Sequence, residues 1–567
     1  MVILGLNYYF HDSSACLVVD GKLVVALEEE RLNRDKHTSQ FPQMAIERCL
    51  EIAGLERHQI NHIAVSINPT ADWGKKVGHL WNKPKSWLAY SGHHVVNAYA
   101  KQRRFWMWYK RFWKKANGPK VHFINHHLTH VAGSFFVSPY EKAALLGIDG
   151  SGEWATTWLG SGNGIEIEKF KEVYFPNSFG SFYETATQFC GFKPNYDEGK
   201  TMGLAPMGNP ERFKKEVSKL IKVTESGDVK VDLDYFNYQH LIRNTYSPKF
   251  VEVFGAPRAP GDDFESHHMD VAAAFQRVLE DRVLEICDIL HRRTGAEYLV
   301  IAGGVSLNSV MNGRIVRESP FKDVYVMPAA GDNGTAIGAA YYLYNGMLKN
   351  PRVYQHDDPY LGTEYGNEEI LQAIKGAKLR ATYVEDICGT AAKLLKEGRI
   401  IGWFQGKMEI GPRALGNRSI LANPAFPNMK DKINAEVKFR EAYRPFAPSA
   451  TVESYKDYFD LEVEAPFMLK VCNVLPDKQN EVPAITHVDG SARLQTVRKE
   501  LNPRYHELIS KLGGLTGVPV VLNTSFNIQG EPVVESPVQA LRCFYSTGLD
   551  ALCIGNYVLT KDGVSIS

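Results

Sequence analysis

Short apolar runs broken by polar turns organise the N-terminal half of the chain. V-I-L-G-L-N (Val2–Asn7) reads as a buried strand and is followed by a polar loop holding His11, Asp12, Ser13 and Ser14. A second apolar run turns at Asp20-Gly21 into a third, and Asp-Gly between apolar runs is a strong hairpin signal. The pattern returns at A-A-L-L-G-I-D-G-S-G-E-W-A-T-T-W-L-G, with a strand at Ala144–Ile148, a polar loop at Asp149–Glu153 and another strand. Leu4-Gly5-Leu6-Asn7 aligns with Leu146-Gly147-Ile148-Asp149, a weak repeat whose period of about 142 residues is far too long for a solenoid. The spacing predicts two copies of a hairpin-plus-strand subdomain facing one another across a cleft.

Two further glycine-rich junctions follow. In Y-L-V-I-A-G-G-V-S-L-N, Gly303-Gly304 leads from a strand towards a helix, and in G-D-N-G-T-A-I-G-A-A-Y, Asp332 precedes a helix of small residues. Glycine at such junctions lets the backbone approach a phosphate, with the helix N-terminus facing it. Around Asn350–Gly366 the composition shifts to Pro, Asp, Tyr and Gly, which sets a boundary between domains 1–355 and 356–567. Beyond it a helix is expected over Asp386–Glu397 and a strand over Arg399–Gln405.

With 567 residues, 44% hydrophobic and 23% charged, the chain has the balance of a soluble multidomain protein. Eight scattered cysteines without a C-x-x-C pair exclude a zinc ribbon and argue against a disulfide scaffold. No apolar run approaches the roughly 18–20 residues of a membrane span, and the N-terminus lacks a basic n-region. A cytoplasmic protein is expected. The net charge of +1 hides an uneven distribution: Lys75 to Lys120 holds twelve Lys/Arg, and no acid occurs between Asp72 and Glu141.

Three constellations carry chemistry. In N-H-H-L-T-H, Asn125 is placed to cap a helix, and His126 and His130 at i,i+4 share one helical face, a spacing that suits two imidazoles on one divalent metal. Alone, such a pair is more often two core histidines. Asp149 and Asp332 at strand ends supply the acids that complete a set suited to Fe(II), Mn or Zn. His127, about 100° away on the helix, is the structural histidine.

The second constellation is a dense group of cations, Arg413, Arg418, Lys438, Arg440 and Arg444, set among Gly, Pro and Asn rather than Glu and Ala. It predicts a folded anion pocket, since guanidinium forks suit phosphate or carboxylate, and Arg493 and the turn Asn523–Asn527 are positioned to complete it. The third is K-Q-R-R-F-W-M-W-Y-K-R-F-W-K-K, within the basic segment 73–120, which holds Trp73, Trp81, Trp87, Trp106, Trp108 and Trp113. A core-packing or dimer-interface helix, a wall of an acceptor pocket, and a membrane or nucleic-acid surface all fit this pattern.

F-H-D-S-S-A, H-H-L-T-H, G-I-D-G-S-G-E, E-G-K-T-M-G-L-A-P-M-G, A-G-G-V-S-L-N, G-D-N-G-T-A, G-P-R-A-L-G-N-R-S-I, Y-R-P-F-A-P-S and L-N-T-S-F-N together resemble the NodU/CmcH family of O-carbamoyltransferases over nearly the whole chain. The resemblance implies an α/β protein. Its N-terminal domain would have the actin-like ATPase (ASKHA, duplicated ribonuclease H-like) fold, and its C-terminal domain would be YrdC-like.

The latter would make carbamoyl adenylate from carbamoyl phosphate and ATP with Mg2+, the anions held by Arg413, Lys438, Arg444, Arg493 and Asn523, with Arg418 and Arg440 beside them. The former would hold Fe(II) or another divalent metal on His126, His130, Asp149 and Asp332, and nucleotide on Lys200, Gly303, Gly304, Asn308 and Asp332. It would pass the carbamoyl group to a hydroxyl of a natural product or saccharide, with His11 as base and Lys36 near it. A threonylcarbamoyl-type tRNA-modifying enzyme and a non-enzymatic metal- and nucleotide-binding regulator are the alternatives. Nucleic acid is not an expected partner; a homodimer is left open.

Overall fold

The structure, a computed structural model, describes residues 1–82, 97–113, 118–240 and 244–561. It divides into two compact units, Met1–Glu29 with His37–His356, and Glu30–Lys36 with Asp357–Ser567. The short stretch Glu30–Lys36 thus groups with the second unit. Five of its seven residues are charged: Glu30, Arg31, Arg34, Asp35 and Lys36.

In the first unit, β1 (Val2–Asn7), β2 (Ser14–Val19) and β3 (Lys22–Glu28) form an antiparallel meander, and β4 (His62–Val65) and β5 (Lys120–Phe123) add to it in parallel, giving the order β3-β2-β1-β4-β5. The second sheet repeats this. β6 (Lys142–Ile148), β7 (Ala155–Asn163) and β8 (Glu166–Tyr174) form its meander. After a separate hairpin of β9 (Ile221–Val223) and β10 (Val229–Val231), the parallel strands β11 (Tyr298–Ala302) and β12 (Asp323–Val326) complete the order β12-β11-β6-β7-β8.

Leu4 lies opposite Leu17 and Ile63, and its counterpart Leu146 lies opposite Leu159 and Ile301. The repeat read from sequence is therefore a repeat of register, and the duplicated strand order defines a ribonuclease H-like fold of the ASKHA type. The helices His126–Phe135 and Thr335–Tyr341 pack between the halves at a distance only glycine allows: a Cβ on Gly338 would stand 1.8 Å from the Thr129 carbonyl oxygen. This is why the second helix is built of small residues.

The basic segment resolves partly as a core element. In the helix Asn97–Phe112 and just past it, Phe105, Trp108, Tyr109 and Trp113 are buried, and Phe105 stacks on Tyr8 at 6.0 Å and meets Phe123 edge-on. Its cations line the outer face, apart from Lys101, whose ammonium donates to the Tyr9 carbonyl. Trp87 lies outside the described residues. Among the described residues no helix is long and apolar enough to cross a membrane.

The second unit is built on one mixed sheet of nine strands: β13 (Thr382–Tyr383), β14 (Ile401–Phe404), β15 (Arg418–Ala422), β16 (Ala447–Thr451), β17 (Lys470–Asn473), β18 (Ser491–Val497), β19 (Val520–Ser525), β20 (Ala551–Ile554) and β21 (Tyr557–Thr560). Their order is β13-β21-β20-β14-β15-β19-β16-β18-β17. The helices Ile387–Lys396 and Pro503–Thr516 cover it through Ala391, Leu395, Leu508 and Leu512, which pack with Trp403 and Val521. The expected helix begins where Asp386 caps it, its carboxylate accepting from Gly389 N at 2.8 Å. All eight cysteines are buried free thiols.

Candidate metal centre and anion-binding site

In the first unit, three chain ends meet. The helix His126–Phe135 carries His126 in its first turn and His130 one turn on, Asp149 directly follows β6, and Asp332 opens the turn after β12. All four are buried, and one ligand atom from each lies within 4.8 Å of the others. His126 Nε2 is 3.0 Å from His130 Nε2, 3.4 Å from Asp149 Oδ2 and 3.3 Å from Asp332 Oδ1. His130 Nε2 is 3.7 Å and 3.3 Å from the same two oxygens.

Burial opposes charge on both imidazoles, yet the carboxylates Asp332 and Asp149 raise the pKa of each, and the imidazoles in turn hold both carboxyls below their usual range. Two anionic and two neutral donors converging on one buried point is a set that a divalent cation fits, replacing the protons the imidazoles would otherwise hold.

The supports of this set are partly ones that sequence reasoning missed. Asn125 does not cap its helix; its side-chain oxygen accepts from Asn68 Nδ2 at 3.2 Å. The cap is the Glu153 carboxylate, which accepts from His126 N at 2.9 and 3.0 Å and from Asn68 N at 2.8 Å. A helix start with no acid in its first turn was the available signal, since its free N–H groups need an acceptor from elsewhere. His127 is buried outside the donor set, and burial lowers it to about 4. Asp149 Oδ1 accepts from Gly304 N at 3.0 Å. Asn7 Nδ2 donates to the carbonyls of His11, Asp12 and Asp332.

His11 Nε2 lies 3.9 Å from Asp332 Oδ2, and its Nδ1 is 2.9 Å from Asp12 Oδ2. Burial pushes His11 down, but Asp332, Asp12 and Asp149 outweigh it and lift the ring to about 10. Those same carboxylates are the ones a divalent cation would offset. Glu184, on the helix Phe179–Phe189, feels burial first and then the charges of Glu198, His11 and Asp149, and is pushed up to about 8. Nothing in the sequence marks it.

Of the residues expected to bind nucleotide here, Gly303 holds φ 94°, and a Cβ on it would stand 2.2 Å from Ile148 O, so only glycine fits. Lys200 pairs with Asp197 at 3.2 Å. Asn308 caps the helix Ser309–Glu318 through Met311 N, and its amide exchanges two hydrogen bonds with Gln276 at 2.9 and 3.0 Å. Its side chain is thus committed to holding the turn. Lys36 groups with the second unit, and its charge acts on Lys438.

In the second unit Arg413, Lys438, Arg440, Arg444 and Arg493 lie within reach of one another's charge. Burial lowers Arg413 to about 10 with Arg444 adding to it, and Arg440 to about 9 for the same two reasons. Arg493 falls well below the usual range through burial and then through Arg413, Arg440 and Arg444. Lys438 falls likewise through burial, Arg440, Arg444 and Lys36.

Lys438 ends a π-helical turn, Asn434–Lys438, and its ammonium meets the Ser525 carbonyl and Oγ, and the Asn527 carbonyl and Oδ1. Burial and mutual repulsion thus leave a cluster of cations whose excess positive charge an anion would offset. Arg418 is not part of it. Fully buried over the Phe404 ring, it donates to the carbonyls of Gln405, Gly406, Asn417 and Thr363, as a strut of the fold. Asn523 is also internal, donating to Ala414 O, Ser449 Oγ and Gln495 Oε1 at 3.1 Å each.

The first unit defines a protein of the ASKHA superfold with a buried His/Asp donor set between its halves. Residues 2–341 match the family model "Carbamoyltransferase N-terminus" and residues 392–561 match "Carbamoyltransferase C-terminus". The chain belongs to the carbamoyltransferase family, and is an enzyme of that class.

An uncharacterized protein of Synechocystis is 39% identical over 99% of this chain and 96% of its own length. Nodulation protein NolNO of Sinorhizobium fredii is 36% identical over 98% of this chain and 80% of its own. The 3'-hydroxymethylcephem-O-carbamoyltransferase of Streptomyces clavuligerus is 28% identical over 93% of this chain and 92% of its own. Among solved structures, the activator of the 2-hydroxyisocaproyl-CoA dehydratase from Clostridium difficile covers 62% of this chain at 13% identity with a TM-score of 0.33. The strand order, rather than that overlay, carries the fold assignment.

Proposed function

We propose that this enzyme is an ATP-dependent O-carbamoyltransferase whose YrdC-like second unit makes carbamoyl adenylate and whose first unit passes the carbamoyl group to a hydroxyl of a natural product or saccharide. The observation that carries the reading is the gathering of Arg413, Lys438, Arg440, Arg444 and Arg493 in one unit, where burial first and then neighbouring cations lower Arg413, Lys438, Arg440 and Arg493. Carbamoyl phosphate and ATP together bring the negative charge such a cluster needs. Water cleaves carbamoyl phosphate to carbamate and phosphate, a carbamate oxygen attacks the α-phosphorus of ATP to form carbamoyl adenylate, and pyrophosphate leaves. The cluster, with Mg2+ on the nucleotide, offsets the charge that builds on the phosphoryl oxygens.

In the first unit, His126, His130, Asp149 and Asp332 would hold the metal, Fe(II) or another divalent ion. When bound, such an ion supplies Lewis-acid polarisation of a carbonyl. The acceptor hydroxyl attacks the carbamoyl carbon and AMP leaves. His11 Nε2, beside Asp332, takes the hydroxyl proton. Gly303 and Gly304 offer a backbone against which the nucleotide phosphate can lie. The O-carbamoyltransferase among the relatives supports a hydroxyl as acceptor. Phe105, Trp108, Tyr109 and Trp113 are buried, which favours a core-packing role for the helix that carries them.

Purified protein given ATP, carbamoyl phosphate and an acceptor extract should release AMP and pyrophosphate, the latter only with carbamoyl phosphate present. ADP without pyrophosphate would overturn the reading.

A further inference from the structure

Asp12 and His37 stand out on backbone grounds before chemistry is considered. Both are non-glycine residues in the left-handed region, at φ 52° and 56°. Such backbone persists only where surrounding structure imposes it, and it concentrates at functional sites. Here it brings their side chains together: Asp12 Oδ1 is 2.7 Å from His37 Nδ1, while Oδ2 is 2.9 Å from His11 Nδ1. One carboxylate thus bridges two imidazoles through the same ring atom of each.

An ionised carboxylate only accepts, so both rings must carry their proton on Nδ1. In neutral His11 the lone pair then sits on Nε2, the atom that faces Asp332 Oδ2 at 3.9 Å. His37 is held in turn by the edge of the Tyr196 ring, 4.6 Å between centroids. His11, Asp12, His37 and Tyr196 all lie in the first unit.

We infer that Asp12 and His37 are positioning residues for acceptor activation: Asp12 fixes the tautomer and orientation of His11, and His37 holds the second Asp12 oxygen so that the carboxylate cannot turn away. The inference rests on His11 being the base of the transfer step. It extends to this site the general logic by which an orienting carboxylate sets which imidazole nitrogen is basic.

The test uses full-length, zinc-loaded protein with 15N-labelled histidine. Wild-type His11 and His37 should both report Nδ1–H. Asp12→Gly tolerates the left-handed backbone and removes the carboxylate, so His11 should relax to a mixture of tautomers. His37→Asn also tolerates that backbone and keeps a donor for Asp12 Oδ1, so His11 should stay as in wild type, whereas His37→Ala should partly release it.

With methanol as hydroxyl probe, kcat for carbamoyl transfer should fall about tenfold or more in Asp12→Gly and His37→Ala, with KM little changed and His37→Asn near wild type. A wild-type His11 protonated only on Nε2, or a His11 signal unmoved in Asp12→Gly, overturns the inference. His11→Asn separates it from the reading it rests on. Full transfer in His11→Asn ends the role of His11 as base; lost transfer there, with a tautomer indifferent to Asp12, ends the positioning role alone.

Discussion

Asp149 and Gly304 are joined by a hydrogen bond of 3.0 Å from the glycine N–H to Oδ1, while the other oxygen of the same carboxylate stands 3.4 Å from His126 Nε2. The turn after β11 is therefore coupled to the donor set, and the coupling can be cut. A Cβ on Gly304 would lie 2.9 Å from Asp149 Oδ1. Gly304→Ala should displace the carboxylate and weaken metal affinity about tenfold, as loss of outer partners does elsewhere, with little change in the fold. Chelator competition followed by elemental analysis measures it; unchanged affinity would show that Asp149 does not ligate.

His130→Ala removes a donor held 3.3 Å from Asp332 Oδ1. It should abolish stoichiometric metal and cut acceptor carbamoylation at least about a hundredfold. Pyrophosphate release that depends on carbamoyl phosphate should continue, because the cations proposed to serve adenylation lie in the other unit. Equal loss of both half-reactions would contradict the division of labour.

Arg444→Ala should do the reverse. Its charge acts on Arg413, Lys438, Arg440 and Arg493 alike, so it sits centrally in the cluster. Pyrophosphate release should fall about a hundredfold while metal content stays at the wild-type level.

Arg418→Met tests a strut rather than a substrate contact. The guanidinium serves four carbonyls, and its loss leaves buried acceptors unsatisfied. The second unit should lose at least about 3 kcal/mol in denaturant unfolding. A variant as stable as wild type, with only its KM for ATP raised, would return Arg418 to the anion site.

His356 gives a pH dependence of stability. Fully buried, with Tyr354 Oη at its Nδ1, it is lowered by burial from 6.5 to about 4. In the unfolded chain it takes a proton once pH drops below 6.5, so folding loses stability as pH falls from there through the folded value near 4, by about 3 kcal/mol in total. Above 6.5 both states are neutral and the effect vanishes. His356→Gln should flatten the change in unfolding free energy between about pH 7 and about pH 4 by this amount.

Much of this was legible in the chain itself. The hairpin at Asp20-Gly21 and the alignment of Leu4 with Leu146 foretold the duplicated sheets, because alternation and turn residues are local signals. The i,i+4 spacing of His126 and His130 put both rings on one face, since helical geometry depends only on sequence separation.

What local pattern could not decide was which partner each polar group would choose. Arg413 and Arg418 look alike in G-P-R-A-L-G-N-R, yet one joins a cation cluster and the other is consumed by backbone carbonyls. Asn125 was a plausible cap by type, but a carboxylate from a distant loop, Glu153, outcompeted it. Asp12 was one acid among many until the left-handed turn at His37 brought a second imidazole to it. Residue type, spacing and period determined the elements and the chemistry on offer. Only the tertiary structure, by burying these groups and leaving each with the acceptors or charges within reach, decided which would hold the fold and which would be kept for substrate.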